Sequence, residues 1–202
     1  MENNLPFSQS CENNKLPILE ILQRHLSNKA SVLEIAGGTG QHAVCFAGKF
    51  PHLQWFASDV PAAVATLNIR IALANLPNLP TAIAIDTNDP YWNCAVVDAI
   101  YSANSLHIMS SASVEKFFAG VGRNLREGGL LLVYGPLKYR GEFTTPSNAQ
   151  FDLWLKHRDS LSGVRDFCWV NDLAAKIGME FLEDNAMPAN NQLLVWRMKT
   201  VR

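Results

Sequence analysis

The segment Val32-Leu33-Glu34-Ile35-Ala36-Gly37-Gly38-Thr39-Gly40-Gln41-His42 runs from an apolar strand pattern through glycines into a helical pattern. In that context a glycine-rich turn holds a nucleotide-like ligand. Gly38 and Gly40 lack a side chain, so backbone there approaches a ligand closely and takes turn angles closed to other residues. Asp59 ends the next strand pattern, 21 positions after Gly38, where a carboxylate accepts hydrogen bonds from ribose hydroxyls. Together these residues imply a cofactor built on a nucleoside. Gly38-Thr39-Gly40-Gln41-His42-Ala43 also satisfies the dinucleotide fingerprint G-x-G-x-x-G/A, and Asp59 stands equally where a cap for a helix opening at Pro61 belongs. On these residues alone both alternatives stay open.

Other residues with usable chemistry fall at the ends of later strand patterns. His42 opens the helix behind the turn and faces either the ligand or a local hydrogen-bond partner. Asp86, past a third strand, holds a ligand or caps the next turn. Tyr101, Asn104 and His107 lie at or just beyond a fourth strand. An ordinary histidine titrates near neutral pH, so His107 is a candidate base, with a plain backbone hydrogen bond as the alternative. Two polar groups, Ser147-Asn148 with Asp152 and Asn190-Asn191 after Met187-Pro188, either line an acceptor pocket or supply turns. Cys11, Cys45, Cys94 and Cys168 are far apart, with no CxxC pair and no histidine at ligand spacing; reduced thiols and no metal site follow.

The elements that must position these residues alternate between short β-branched runs and helical patterns, the signature of βαβ units and a mostly parallel sheet. A first helix is expected from about Lys15 to Leu26, with Pro17 in its first turn and Leu16, Leu19, Leu22 and Leu26 on one stripe. Strands follow at Ser31–Ile35, Leu53–Ala57, Thr81–Ile85, Ala95–Ala103 and Leu130–Tyr134. The helix before the last of these carries Val114, Phe117, Phe118, Val121 and Leu125 and ends at Gly128-Gly129. Helices near Ser147–Leu155 and Asn171–Ile177 precede strands at Met179–Glu183 and Leu193–Met198, which a short loop joins into an antiparallel pair. The fold class is α/β: one Rossmann-like domain over residues 1–202, a seven-stranded mostly parallel sheet with helices on both faces. Residues 1–30 form a segment and helix covering the cofactor site.

The chain resembles class I S-adenosylmethionine-dependent methyltransferases, and among them a family of methyltransferase-like protein 26 type. The resemblance rests on Phe7-Ser8, Cys11-Glu12 and Asn14, on Leu33-Glu34-Ile35 with Gly38 to Ala43, and on Ser58-Asp59. It continues through Ala103-Asn104, His107-Ile108, Gly135-Pro136, Phe143-Thr144, Ser147-Asn148, Phe151-Asp152, Arg165-Asp166 and Met187 to Asn191. Ala36 departs from the pattern, standing where such enzymes carry the first glycine of E-x-G-x-G-x-G. The resemblance implies S-adenosylmethionine as cofactor, with Glu34, Ala36, Gly37, Gly38, Gly40, His42, Asp59, Asp86 and Asn104 around it and Asp86 at the adenine amino group. It places His107, Asn104 and Tyr101 where the acceptor is handled, and the reaction as an in-line displacement that needs alignment and few catalytic side chains. Ser147, Asn148, Asn190 and Asn191 would then contact the acceptor.

Composition narrows the partners. The chain has 202 residues, 48% of them apolar, enough for one substantial core. Its 17 basic and 18 acidic residues leave a net charge of −1, without the cationic surplus of phosphate-backbone binders. A small-molecule acceptor is expected, and no nucleic acid. The start carries no basic and apolar leader, and nowhere is there an apolar run of the roughly 18 residues that span a bilayer. A cytoplasmic protein away from membranes is expected.

Overall fold

The computed structural model describes residues 5–200; the first four residues of the expected covering segment and the last two of the chain lie outside that range. The elements run α1 (Gln9–Leu26), β1 (Ser31–Ile35), α2 (Gln41–Lys49), β2 (Gln54–Asp59), α3 (Pro61–Ala74), β3 (Ile83–Ala84), β4 (Val97–Ala103), α4 (Ser111–Asn124) and β5 (Leu125–Gly135). They continue as β6 (Leu137–Tyr139), β7 (Glu142–Phe143), α5 (Pro146–Arg158), β8 (Arg165–Asp166), α6 (Phe167–Lys176), β9 (Met179–Met187) and β10 (Asn191–Met198).

Seven strands form one sheet in the order β3-β2-β1-β4-β5-β10-β9. Its first five strands are parallel, and β10 runs against both β5 and β9. The central strands are covered on both faces, which is why β4 reads as an almost unbroken buried run. Alternate residues part to opposite layers. Val32, Trp55, Tyr101 and Leu132 pack under Ile18 and Leu22 of α1, Phe46 of α2 and Leu67 of α3. Leu33, Ile100, Leu131 and Trp196 pack under Phe117, Phe118 and Val121 of α4. Fully burying such a side chain contributes about 1.5–3 kcal/mol, so Ile18, Leu22 and Leu26, all without exposed surface, suffice to hold the C-terminal half of α1.

Strand order reverses between β1 and β4: β2 and β3 lie to one side, β5 and β10 to the other. Ligands of open parallel sheets bind in the crevice outside the strands' carboxyl ends at such a reversal. Ser102 pins the two strands there, its hydroxyl donating to the Ile35 carbonyl at 2.9 Å.

Several boundaries differ from the sequence reading. Helix α1 begins at Gln9, because the Ser8 hydroxyl accepts the Cys11 N–H and caps it. Pro17 therefore sits inside the helix, and Leu16 turns outward at 58% exposure instead of joining the buried stripe. Gly128-Gly129 does not end α4, which stops at Asn124. The two glycines lie within β5, where its register on β4 jumps from Val97↔Leu125 to Ala99↔Leu130. Strand β3 keeps two residues of the five expected. A small sheet in the order β7-β6-β8, absent from the sequence reading, sits beyond β5. Among the described residues no helix is long and apolar enough to cross a membrane.

Candidate functional site

The glycine turn leaves β1 at the reversal point and enters α2. Its backbone needs left-handed angles at three places: Ala36 (φ 61°), Gly38 (φ 56°) and Gly40 (φ 76°). A residue with a Cβ is disfavoured there by roughly 1–2 kcal/mol, so Ala36 holds a strained position that glycine would fill without strain. Gly37 donates its N–H to the Ser58 carbonyl at 2.8 Å, and Gly40 donates to the Gly37 carbonyl at 2.9 Å. A Cβ built on Gly40 would meet Leu67 Cδ1 at 2.7 Å, whereas one on Gly38 meets no protein atom within 4 Å. Gly38 therefore borders open space and Gly40 is shut in by α3.

Asp59, at the end of β2, lies beside that space. Its Oδ2 accepts the Gly38 N–H at 2.7 Å and its Oδ1 accepts the Val60 N–H at 2.7 Å. The N-cap of α3 is Val60, and no side chain caps it. The carboxylate thus supports the turn; it does not cap the helix. Asp86, past β3, accepts the backbone N–H and side-chain amide of Asn88 on Oδ1 at 2.8 and 3.0 Å, the local turn that was one of its two alternatives.

Three residues expected at the site are placed beneath it. Glu34 is 1% exposed, and its Oε2 accepts the indole N–H of Trp55 at 2.8 Å. Burial raises its pKa to about 8 against the help of that hydrogen bond, and the Asp59 charge adds to the rise. Tyr101 has no exposed surface, and its hydroxyl stands 3.2 Å from Nδ1 of His42. Nε2 of His42 lies 2.7 Å from the Asn14 side-chain oxygen, so Nε2 carries the ring proton and Nδ1 accepts from the tyrosine. Burial above all pushes the His42 pKa down to about 4. Both ring nitrogens of His42 are engaged by residues distant in sequence, not by the local partner offered as its alternative, and Tyr101 has no exposed surface to offer an acceptor.

The environment of Glu34 has a testable consequence. The folded state keeps its carboxyl protonated up to about pH 8, while the unfolded chain ionises it from its ordinary value of 4.5. Its contribution to stability is therefore full below pH 4.5 and is lost as pH rises towards 8. Glu34→Gln keeps an oxygen for Trp55 and removes the titration. Its melting temperature should match the wild type near pH 4.5 and exceed it increasingly towards pH 8. Parallel melting curves across that range would show that the carboxyl titrates normally.

Beyond β4, Asn104 takes a left-handed angle (φ 55°) and donates its N–H to the Tyr134 carbonyl at 2.8 Å. His107 is buried, edge-on to Phe151 with ring centroids 5.3 Å apart. It borders a cavity of about 10 Å³ lined also by Tyr134, Gly135 and Pro136, room for about one water molecule. Burial first, and then the charge of Arg165, push its pKa down to about 4. Arg165 holds the loop in place through the carbonyls of Leu106, Met109 and Leu161.

The two polar groups meet, although 42 residues separate them. The Asn148 side-chain amide donates to the Asn190 carbonyl at 2.9 Å, and that of Asn190 donates to the Ser147 hydroxyl at 3.2 Å. The Asn191 amide is spent on the carbonyls of Pro188 and Ala189. Sequence reasoning missed Gln41 and Arg70, which bind the turn at Thr39. Arg70 is the only charged residue in an otherwise uncharged α3, which is the signal that marked it.

A seven-stranded sheet with this order, a reversal beside a glycine turn and one antiparallel strand near the end define the Rossmann-like fold of class I methyltransferase domains. The chain belongs to the family described as "Protein of unknown function (DUF938)", whose model matches residues 5–198. The fold is similar to that of an O-methyltransferase family protein from Burkholderia thailandensis (TM-score 0.80, 14% identity, 93% of this chain and 57% of that one). It is similar also to an O-methyltransferase family 2 protein from Planctomyces limnophilus in complex with apigenin (TM-score 0.78, 18% identity, 93% and 58%). Human N-acetylserotonin methyltransferase in complex with S-adenosylmethionine gives a TM-score of 0.71 at 17% identity, over 92% of this chain and 56% of that one. The chain thus spans less than two thirds of the length of these structures.

Proposed function

We propose that the protein binds S-adenosylmethionine at the glycine turn and transfers its methyl group to a small-molecule acceptor, as a relative of the methyltransferase-like protein 26 type. The observation that carries this reading is the pairing of Gly38 and Asp59: a turn residue with no protein atom within 4 Å of its missing side chain, and a carboxylate 2.7 Å from its N–H. These groups fit a nucleoside, because the Gly38 backbone borders open space and Asp59 presents acceptors for ribose hydroxyls, while Ala36 and Gly37 set the shape of the turn. Asp86 and Asn104 complete the cofactor side. Glu34 and His42 act from beneath, by fixing the strand and helix that carry the turn.

S-adenosylmethionine, when bound, supplies an activated methyl group. The protein's part is to align the acceptor and keep water out. Asn104, just past β4, takes that part, with Ser147, Asn148, Asn190 and Asn191 as the polar wall of the acceptor pocket, and the buried His107 reaches an acceptor through the one water its cavity has room for. His107, with its pKa near 4, is a weak base at neutral pH, which suits acceptors that lose a proton readily. The same weakness, with the burial of Tyr101, favours a second reading in which the protein binds the cofactor without catalysis. Incubating the protein with methyl-labelled S-adenosylmethionine and pools of small hydroxylated and amino compounds separates the two. Label should appear in acceptor with wild type and not with Gly38→Val. Cofactor binding without transfer to any pool would leave the non-catalytic reading.

A further inference from the structure

We propose that residues 6–12 form a strap latched over the glycine turn, and that Arg70 and Gln41 are positioning residues that set how fast the cofactor enters and leaves; the proposal rests on the cofactor reading above. Arg70 donates from Nε to the Thr39 carbonyl and from Nη2 to the Pro6 carbonyl, each at 2.5 Å. One guanidinium therefore holds the turn beside Gly38 and the strap at once. The buried Gln41 does the same from α2. Its Oε1 accepts the Ser8 N–H at 2.6 Å and the Thr39 hydroxyl at 2.9 Å, while its Nε2 donates to Glu12 at 2.8 Å and to the Ser8 carbonyl at 3.3 Å. Glu12 is held in turn by Lys15 at 2.5 Å, with the Arg70 charge nearby.

What fastens the strap differs from what fastens the rest of α1. Phe7 is 62% exposed, and the buried apolar residues of the described chain begin only at Ile18. The strap is therefore attached through hydrogen bonds and charge, while the second half of the helix is anchored in the core. Segments with few buried apolar contacts open locally while the fold persists. Opening here requires release of the same two side chains that shape the turn.

The test is binding kinetics of S-adenosylhomocysteine to the full chain by surface plasmon resonance, with amide hydrogen exchange of the cofactor-free protein as a second readout. Arg70→Ala and Gln41→Ala should each speed both association and dissociation by about two- to tenfold, the range set by one or two lost hydrogen bonds, and speed exchange at residues 8–12. Arg70→Lys, which retains one donor group, should fall between. Unchanged association and dissociation rates together with faster exchange would overturn the gating role. A faster dissociation alone would reduce Arg70 to a support of the turn and overturn it too, as would unchanged exchange. If the wild type itself fails to bind S-adenosylhomocysteine, the cofactor reading falls and takes this one with it, an outcome distinct from normal binding with invariant rates.

Discussion

Replacing Gly38 with Val should abolish binding of S-adenosylhomocysteine, a rise in Kd on the order of a hundredfold or more, in a protein that still folds. No protein atom lies within 4 Å of a Cβ at this position, so a side chain meets nothing but the space assigned to the cofactor. The backbone cost is real, because φ is 56° and a left-handed angle disfavours a side chain by roughly 1–2 kcal/mol. A typical fold has about 5–15 kcal/mol in reserve, so folding survives. Gly128 supplies the matched control: its φ is 70°, and nothing lies within 4 Å of its Cβ. It sits near the amino end of β5, away from the carboxyl ends that carry the turn, and the Lys29 ammonium donates to its carbonyl. Gly128→Val should lower the melting temperature about as much and leave affinity unchanged. Equal affinities for both variants would remove the glycine turn from the site.

Asp59→Ala should weaken binding by about ten- to hundredfold, since a hydrogen bond to a charged group is worth roughly 1.5–3 kcal/mol. In the cofactor-free protein the carboxylate accepts from Gly38 and Val60, so the alanine variant also loses support for the turn and some stability. Asp59→Asn separates the two effects. An amide retains an oxygen for the Gly38 N–H, so the melting temperature should recover most of its value, whereas the charge-assisted share of the affinity stays lost. Titration calorimetry beside melting of the apo-proteins reads both. A stability loss in Asp59→Ala with unchanged affinity would confine Asp59 to holding the turn.

What the sequence made legible is what depends on local spacing. The turn between β1 and α2 was readable because Gly38 and Gly40 follow a run of apolar residues, and Asp59 because it ends the next one. The sheet, with its final antiparallel pair, followed from alternating strand and helix patterns and a loop of a few residues before β10. Direction within the fold was not legible. Glu34 alternates with Leu33 and Ile35, but nothing local says which face meets α1 or that Trp55, 21 residues on and brought alongside by the pairing of β2 with β1, will donate to its carboxyl. Tyr101 stands opposite Glu34 in the register of β1 on β4 and shares its burial for the same reason. The start of α1 was misplaced because Pro17 imitates a first-turn proline, while the capping Ser8 is followed by no acidic partner three residues on. Asn148 and Asn190 meet only through the tertiary path that brings α5 against the β9–β10 loop. Strands of two or three residues, such as β7 and β8, carry too little periodicity to be read at all.

The central claim is that the space at Gly38 and Asp59 takes S-adenosylmethionine and no dinucleotide. Calorimetric titration of cofactor-free wild-type protein with S-adenosylhomocysteine, and separately with NADH, tests it most directly. A saturable binding heat with S-adenosylhomocysteine, none with NADH, and loss of that heat in Gly38→Val is the predicted result. Saturable binding of NADH with no response to S-adenosylhomocysteine would contradict it.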